Sequence, residues 1–340
     1  MIKSFKFRIY PTDSQERKIR NVLQLCQSLY NGALEERRNA WSKEKRSVKY
    51  KEQQNCLPDL KTQLPEYKDV YSQILQDTLK RVDKGYQGFF RRIKSGEKPG
   101  YPRFKSIFRY NSFTYPQSGF KISKDRIFLS KIGYIKLIQH RPVVGKIKTC
   151  SVIRTDSGKY YICVTAETEV PVIEVKDRKE IGIDLGIKAY AVTSEGRAFE
   201  NPKILKRHEK RLAKAQRKLS NKEKKSPARK RAKHHVIRIY EKITNTRADF
   251  HHKLSRELVN EYNTIYLEKL NIDSLLSRAK NPRVLNRYIS DCGWSKFSNM
   301  VQYKAEEAGT QAIFVDPKNT TQICSGCGNC VPKSLSDRKH

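Results

Sequence analysis

Charge constrains this chain before anything else does. Lysine and arginine supply 71 residues against 35 aspartate and glutamate, a formal net charge of +36 over 340 residues. A compact chain with that excess repels itself, so its folded state calls for a polyanion, and nucleic acid is the commonest one. Charge carried for solubility alone usually stays below about 8 in magnitude. The excess is also concentrated: from Lys203 to Lys233 there are 15 Lys and Arg and two acids, Glu209 and Glu223. Hydrophobic residues at 37% are enough to build cores, which excludes a disordered basic tail, and the length suits two or three domains.

Periodicity divides the chain. In "MIKSFKFRIY", Phe5, Phe7 and Ile9 alternate with Lys6, Arg8 and Tyr10, a strand that Pro11 ends. Helical spacing follows, with Ile19, Val22, Leu23, Cys26, Leu29, Tyr30, Ala33 and Leu34 on one stripe, and persists to about residue 94 with breaks near Pro58 and Pro65. From "KSGEKPGYPRFKS" (94–106) the pattern becomes short strands and turns, including a hairpin turning at Asp156-Ser157-Gly158. A linker, "VPVIEVKDRK", precedes a second domain. This opens with two strand patterns in "EIGIDLGIKAYAVTSEGRAFE", turning at Gly186. Helices are predicted over 203–219 and 228–262, the second with Val236, Tyr240, Ile243, Phe250, Leu254 and Leu258 buried. "TIYLEKL" (264–270) is a strand, "GWSKFSNMVQYKAEEAG" (293–309) a helix and "QAIFVD" (311–316) a strand.

Two strands end in carboxylates. Asp184 closes "IGID" and Glu268 closes "IYLE". A carboxylate ending a buried strand is costly unless paired, and a divalent metal is the usual partner. Ribonuclease-H-like nucleases hold two Mg²⁺ on such strand-end carboxylates and a third from a later helix. Each motif alone is weak, because Asp beside Gly is often a turn residue. "GIDLG" also suits the first phosphate strand of actin-like ATPases, but no Gly-rich phosphate loop follows. Between the carboxylates, Lys203, Lys206, Arg207, Lys210, Arg211, Lys214, Arg217, Lys218, Arg229, Lys230, Arg231 and Lys233 would track phosphates along two antiparallel helices, with strong salt dependence and little sequence readout. In "GYPRFKSIFRYNSFTYP", six aromatics alternate with Arg103, Lys105 and Arg109, which suits either base stacking or a small barrel core. His234-His235 and His251-His252 are spaced wrongly for a shared metal and read as surface or phosphate contacts. Trp294 and Phe297 read as core.

Of eight cysteines, Cys26, Cys56, Cys150, Cys163 and Cys292 fall in apolar runs and read as small core residues. No signal-peptide core or membrane span is present, so a reducing, cytoplasmic setting is expected, in which Cys324-x-x-Cys327 suggests zinc rather than a disulfide.

"FKFRIYPT", "GYPRFKS", "GIDLG", the basic helices, "YLEKLNI", "GWSKFSNMVQYKAEEAG" and "TTQICSGCG", in this order, resemble the TnpB proteins. These are transposon-encoded relatives of type V CRISPR effectors, and the resemblance covers nearly the whole chain. It implies an α/β and α+β multidomain protein. A wedge β-barrel with a helical recognition insertion at about 13–94 would occupy 1–175. A RuvC/RNase-H-like nuclease domain would span 179–318, and the first half of a zinc ribbon 319–340. It implies an RNA-guided DNA endonuclease of a prokaryotic insertion sequence, associated with the nucleoid. Its partners would be a guide RNA and a double-stranded DNA target, with no membrane, and it would act as a monomer on RNA. Asp184 matches the first catalytic aspartate and Glu268 the catalytic glutamate, both holding Mg²⁺; Cys324 and Cys327 match the first half of the four-cysteine zinc site. In the family a second Cys-x-x-Cys follows the segment seen here as "SLSDRKH", and then a helix with the third catalytic aspartate. The sequence stops at His340, before either; Asp337 aligns with a variable position. The expectation is therefore a C-terminal truncation with impaired cutting. The rival is a nuclease-dead, RNA-guided DNA-binding protein acting as a repressor or transposition regulator; a plain basic RNA-binding protein is a third reading. Cys330 and His340 could complete a Cys3His set with the first pair.

Overall fold

In the computed structural model, which describes residues 1–169, 179–277 and 283–316, the chain divides into two units between Glu169 and Val170. The first opens with β1 (Ile2–Tyr10), which buries Phe5, Phe7 and Ile9 as the alternation requires. Thr12 then caps α1 (Asp13–Glu44): its hydroxyl accepts from Gln15 N at 3.4 Å and its own N–H donates to Gln15 Oε1 at 3.0 Å, a reciprocal capping box. The helical segment continues through α2 (Tyr50–Asn55), α3 (Leu57–Gln63), a 3₁₀ turn at Pro65–Asp69 and α4 (Ser72–Lys94). Pro58 and Pro65 start elements rather than merely breaking them, since the first turn of a helix needs no proline N–H.

Six strands follow: β2 (Ser112–Tyr115), β3 (Phe120–Ile122), β4 (Arg126–Leu129), β5 (Gly133–Ile138), β6 (Lys146–Arg154) and β7 (Tyr160–Glu167). With β1 they form one antiparallel sheet in the order β2-β6-β7-β1-β5-β4-β3. Its two edge strands, β2 and β3, are consecutive in the chain. Tyr115 on β2 lies 6.3 Å from the Phe120 ring on β3 and donates to the Ser130 carbonyl at 2.9 Å, so the sheet curls into a nearly closed barrel. The aromatic run before β2 is split by this barrel. Phe113 and Tyr115 are buried in it and Tyr110 is buried against Tyr30 of α1 and Thr78 of α4, while Tyr101, Phe104 and Phe108 stand exposed. The barrel-core reading therefore holds for the second half of the run, and the first half is left at the surface.

The second unit is built on a five-stranded sheet in the order β10-β9-β8-β11-β12. β8 (Glu180–Leu185), β9 (Ala189–Thr193) and β10 (Ala198–Glu200) form an antiparallel meander, one strand more than the sequence pattern suggested. β11 (Thr264–Glu268) then pairs parallel with β8, and β12 (Gln311–Val315) parallel with β11. Between β10 and β11 stand α5 (Ile204–Ser220) and α6 (Pro227–Glu261), packed as a hairpin on Ile204, Leu212, Ala215, Val236, Ile239 and Ile243. Between β11 and β12 lie α7 (Ile272–Ser277), α8 (Arg283–Cys292) and α9 (Trp294–Ala308). The periodicity reading did not include α7 and α8. It also placed Tyr240 in the α6 stripe, but Ile239 takes the inner position and Tyr240 is exposed, its hydroxyl accepting from Gln216 Nε2 at 3.0 Å. Cys56 is exposed and Cys163 half-buried, so not every cysteine is a core residue. Trp294 and Phe297 are core as expected. Among the described residues no helix is long and apolar enough to cross a membrane.

Candidate metal centre

The register of β8 against β11 aligns Ile181 with Ile265, Gly182 with Tyr266 and Ile183 with Leu267. The next residues along these parallel strands are Asp184 and Glu268, so the two carboxylates stand on neighbouring strands, about 4.8 Å apart in the sheet, at the same C-terminal edge. Ile183 and Leu267 point into the core, and alternation sends Asp184 and Glu268 to the other face. β8 is also where the chain order reverses, with β9 on one side and β11 on the other. Clefts at the carboxyl ends of strands at such a reversal are the usual binding positions of open α/β sheets.

Asp184 is not the buried charge that its place at the end of an apolar strand suggests. Its side of the sheet is open and Asp184 is exposed, because β8 buries one face only. Its neighbour is what marks it. Glu268 is half-buried, and burial first, then the negative charge of Asp184, push its carboxyl above the ordinary value. Neither carboxylate has an ion-pair partner among the described residues. Two close, uncompensated carboxylates fit a divalent cation, which would relieve the repulsion that raises Glu268. No third Asp, Glu, His or Cys joins them among the described residues. Cys324 and Cys327 lie outside those residues, as do Cys330, Asp337 and His340.

Sequence reasoning missed what stands beside the pair. A cleft of about 170 Å³ opens next to Glu268, lined also by Trp294, Ser295, Ser298 and Asn299 from α9. The signal was available: Ser295, Ser298 and Asn299 follow helical spacing on the face away from Phe297 and Val301.

The twelve basic positions sort into two roles. Eleven are exposed, at the N-cap of α5, along α5 and at the start of α6, and none of those forms an ion pair among the described residues. A helical face held by internal salt bridges would look different. Arg229 is the exception. Half-buried, it donates from Nη1 to the carbonyls of Leu219 and Lys222 at 2.9 and 2.8 Å, closing the hairpin turn, so it is structural. Alanine at Lys210, Lys214 and Arg217, on one face of α5, is expected to weaken nucleic-acid binding and lower the slope of log affinity against log salt by about 2–3. An unchanged slope in a salt titration would mean this face touches no phosphate.

His251 also departs from expectation: it is buried, not a surface contact. Its Nε2 lies 3.0 Å from both the Tyr190 hydroxyl and the Cys292 carbonyl. The carbonyl can only accept, so Nε2 carries the proton and Nδ1, which has no partner among the described residues, is bare. Burial pushes the imidazole down to about 4, with the Arg247 guanidinium adding to the shift. That charge is held in turn by Asp291, whose other oxygen accepts from Leu205 N at 2.9 Å. A histidine held neutral by the fold stabilises it above its unfolded value of about 6.5, and that contribution is lost as pH falls toward 4. The second unit should lose roughly 2–3 kcal/mol over this window, read as a falling melting temperature, and His251→Gln should flatten the slope.

The second unit thus combines a mixed sheet, two neighbouring strand-end carboxylates that suit a divalent cation, and an exposed cationic helical hairpin that suits a polyanion. Comparison with known proteins carries this further. The model of the OrfB_IS605 family, described as a probable transposase, matches residues 161–279. A Cas12f1-like TNB domain matches 294–340, and a helix-turn-helix domain 1–46. In the last range the fold shows one strand and one continuous helix, β1 and α1. A protein of Escherichia coli K12 named "Putative RNA-guided DNA endonuclease InsQ" is 31% identical, over 99% of this chain and 86% of its own length. A "Putative RNA-guided DNA endonuclease" of Streptomyces pristinaespiralis is 32% identical, over 96% of this chain and 80% of its own. The chain therefore belongs to the OrfB_IS605 family of TnpB-type transposases. A solved Cas12f1–sgRNA–target DNA complex has a Cas12f1-like fold in common with it: TM-score 0.58 at 13% identity, over 97% of this chain and 92% of that one.

Proposed function

We propose that this protein is an RNA-guided, metal-dependent DNA endonuclease, with Asp184 and Glu268 as its metal ligands. The observation that carries the reading is their position one residue past the last paired residues of the two central parallel strands, close enough for the charge of Asp184 to raise Glu268. The names of the two relatives support the guide RNA and the DNA target as partners. A meander followed by two parallel strands supports a RuvC-like assignment for the second unit.

Exposed Asp184 leaves the carboxylate edge open to an incoming strand, while half-buried Glu268 is held by β12, with Lys269 N donating to the Val315 carbonyl at 2.8 Å. Bound there, divalent cations supply an activated water and stabilise the leaving oxygen. The eleven exposed cations of the hairpin hold phosphates by charge, without reading sequence. A third carboxylate for a two-metal site would come from outside the described residues. Cys324 and Cys327 hold zinc in this reading, on the strength of their Cys-x-x-Cys spacing.

The test is guided cutting: the chain is purified with its co-expressed RNA and offered a matching plasmid with Mg²⁺, then with chelator. Retained RNA and chelator-sensitive, target-dependent cutting is expected. Target bound tightly but left intact would favour a guided binder acting as a repressor, and a chain that retains no RNA would sink the reading.

A further inference from the structure

The first unit carries an open groove that the metal centre does not use. It has a volume of about 400 Å³ and lies between the end of α1, the segment after it and the second half of α4. That size is in the range of small-ligand sites. Trp41 and Phe90 line it with 55% and 56% of their surfaces exposed, and Tyr101 is 41% exposed. Exposing large rings costs hydrophobic free energy, so a cluster of them marks a binding surface.

The groove is built, not frayed. Tyr101 meets Tyr86 and Phe89 edge-on, at 5.7 and 5.2 Å between ring centroids, and its hydroxyl lies 3.1 Å from that of Tyr86. The loop bearing Tyr101 and Phe104 is pinned to α1. Gln27 and Asn31 donate to the Lys105 carbonyl at 2.7 and 2.9 Å, and Lys105 N donates to Asn31 Oδ1 at 2.8 Å. Arg38 sits over the Tyr101 and Phe104 rings, 5.8 and 5.2 Å from their centroids.

Charge selects the occupant. Arg37, Arg46 and Lys49 line the groove against Asp83. The Asp83 carboxylate already accepts from Arg37 at 3.0 Å and Gln87 at 2.7 Å. Arg46 is shared with Glu44 and Glu52, but Lys49 and Arg38 have no ion pair among the described residues. Arg37 is 7% exposed, lies over the Tyr86 ring and keeps a buried Nη2 without a partner among the described residues. An apolar peptide would gain nothing from these cations. A nucleotide uses both features, its base on the rings and its phosphates on the rim. Duplex DNA hides its base faces, whereas folded RNA offers unstacked bases in loops and bulges.

We propose that this groove takes an unstacked base of the RNA, stacked against Trp41 and Phe90; the inference rests on the RNA-guided reading above. The chain has two tryptophans, Trp41 exposed and Trp294 6% exposed in the second unit, so stacking is visible as quenching of Trp41 emission. Emission is compared for the full chain free of RNA, in complex with its co-purified RNA, and after target DNA is added. Quenching with RNA and no further change with DNA is expected, and Trp41→Phe should abolish the change, leaving only the Trp294 signal. Phe90→Ala should weaken RNA binding roughly 5- to 150-fold, the worth of stacking one base, with an unchanged melting temperature. A complex that forms with no quenching and no effect of Phe90→Ala overturns the groove while leaving RNA guidance intact. Quenching that appears only with DNA overturns the RNA assignment, and a chain that holds no RNA overturns both readings.

Discussion

Target cutting by the Asp184→Ala chain is expected to fall by roughly 10³-fold or more, while RNA retention, target binding and melting temperature stay as they were. Losing a metal ligand removes several kcal/mol of transition-state stabilisation, at about 1.4 kcal/mol per factor of ten. The fold has little stake in the side chain: Asp184 is exposed, and its backbone pairing with Val192 of β9 survives the substitution. Glu268→Gln should do the same to cutting, because it keeps the shape and removes the charge that a cation needs. The two changes together should cost no more than either alone, since ligands of one site act as a unit. Relieving Asp184 of its charge should also let the Glu268 carboxyl titrate closer to its ordinary value, because that charge is the second cause of its shift. Full cutting by Asp184→Ala would place the chemistry elsewhere.

Phe297→Ala is expected to act the opposite way, through stability. Phe297 is completely buried, edge-on to Tyr190 at 5.4 Å and to His251 at 5.9 Å. It therefore joins α9 to the sheet through β9 and to α6 through His251. Removing it should cost about 3–5 kcal/mol, a drop of roughly 6–20 °C in the melting temperature of a unit this size. Phe297→Leu, which refills most of the space, should cost under about 1.5 kcal/mol. Calorimetry distinguishes the cases, and an alanine variant melting within a degree of the parent would mean the cluster does not hold the unit together. Lost cutting with normal melting at Asp184, against lost melting at Phe297, separates the chemistry from its scaffold.

Strand positions were legible wherever alternation or helical spacing ran long enough. β1, α1 and α9 follow from single stripes, because a periodic pattern of burial admits one local conformation. α7 and α8 were not legible, since short helices get their stability from what they pack on rather than from their own pattern. Tyr240 shows the same limit at one residue: its spacing allowed burial, but neighbouring Ile239 was there to take the inner place.

By itself, the sequence determined that the protein must meet a polyanion, that its cations concentrate between two strand-ending carboxylates, and that its motifs resemble one family. These are properties of composition and order, and they survive any folding. Only the tertiary structure decided which of those residues act together. The parallel pairing of β8 with β11 brings Asp184 beside Glu268 across 84 positions of chain. Barrel closure buries Phe113 and Tyr115, while Tyr101, only a few positions earlier, is left at an open groove. Burial turns His251 from a surface base into a core hydrogen-bonding group, and two carbonyls turn Arg229 from a phosphate contact into a staple. Pairing across long stretches of chain and exclusion of water are set by packing, which no local pattern encodes.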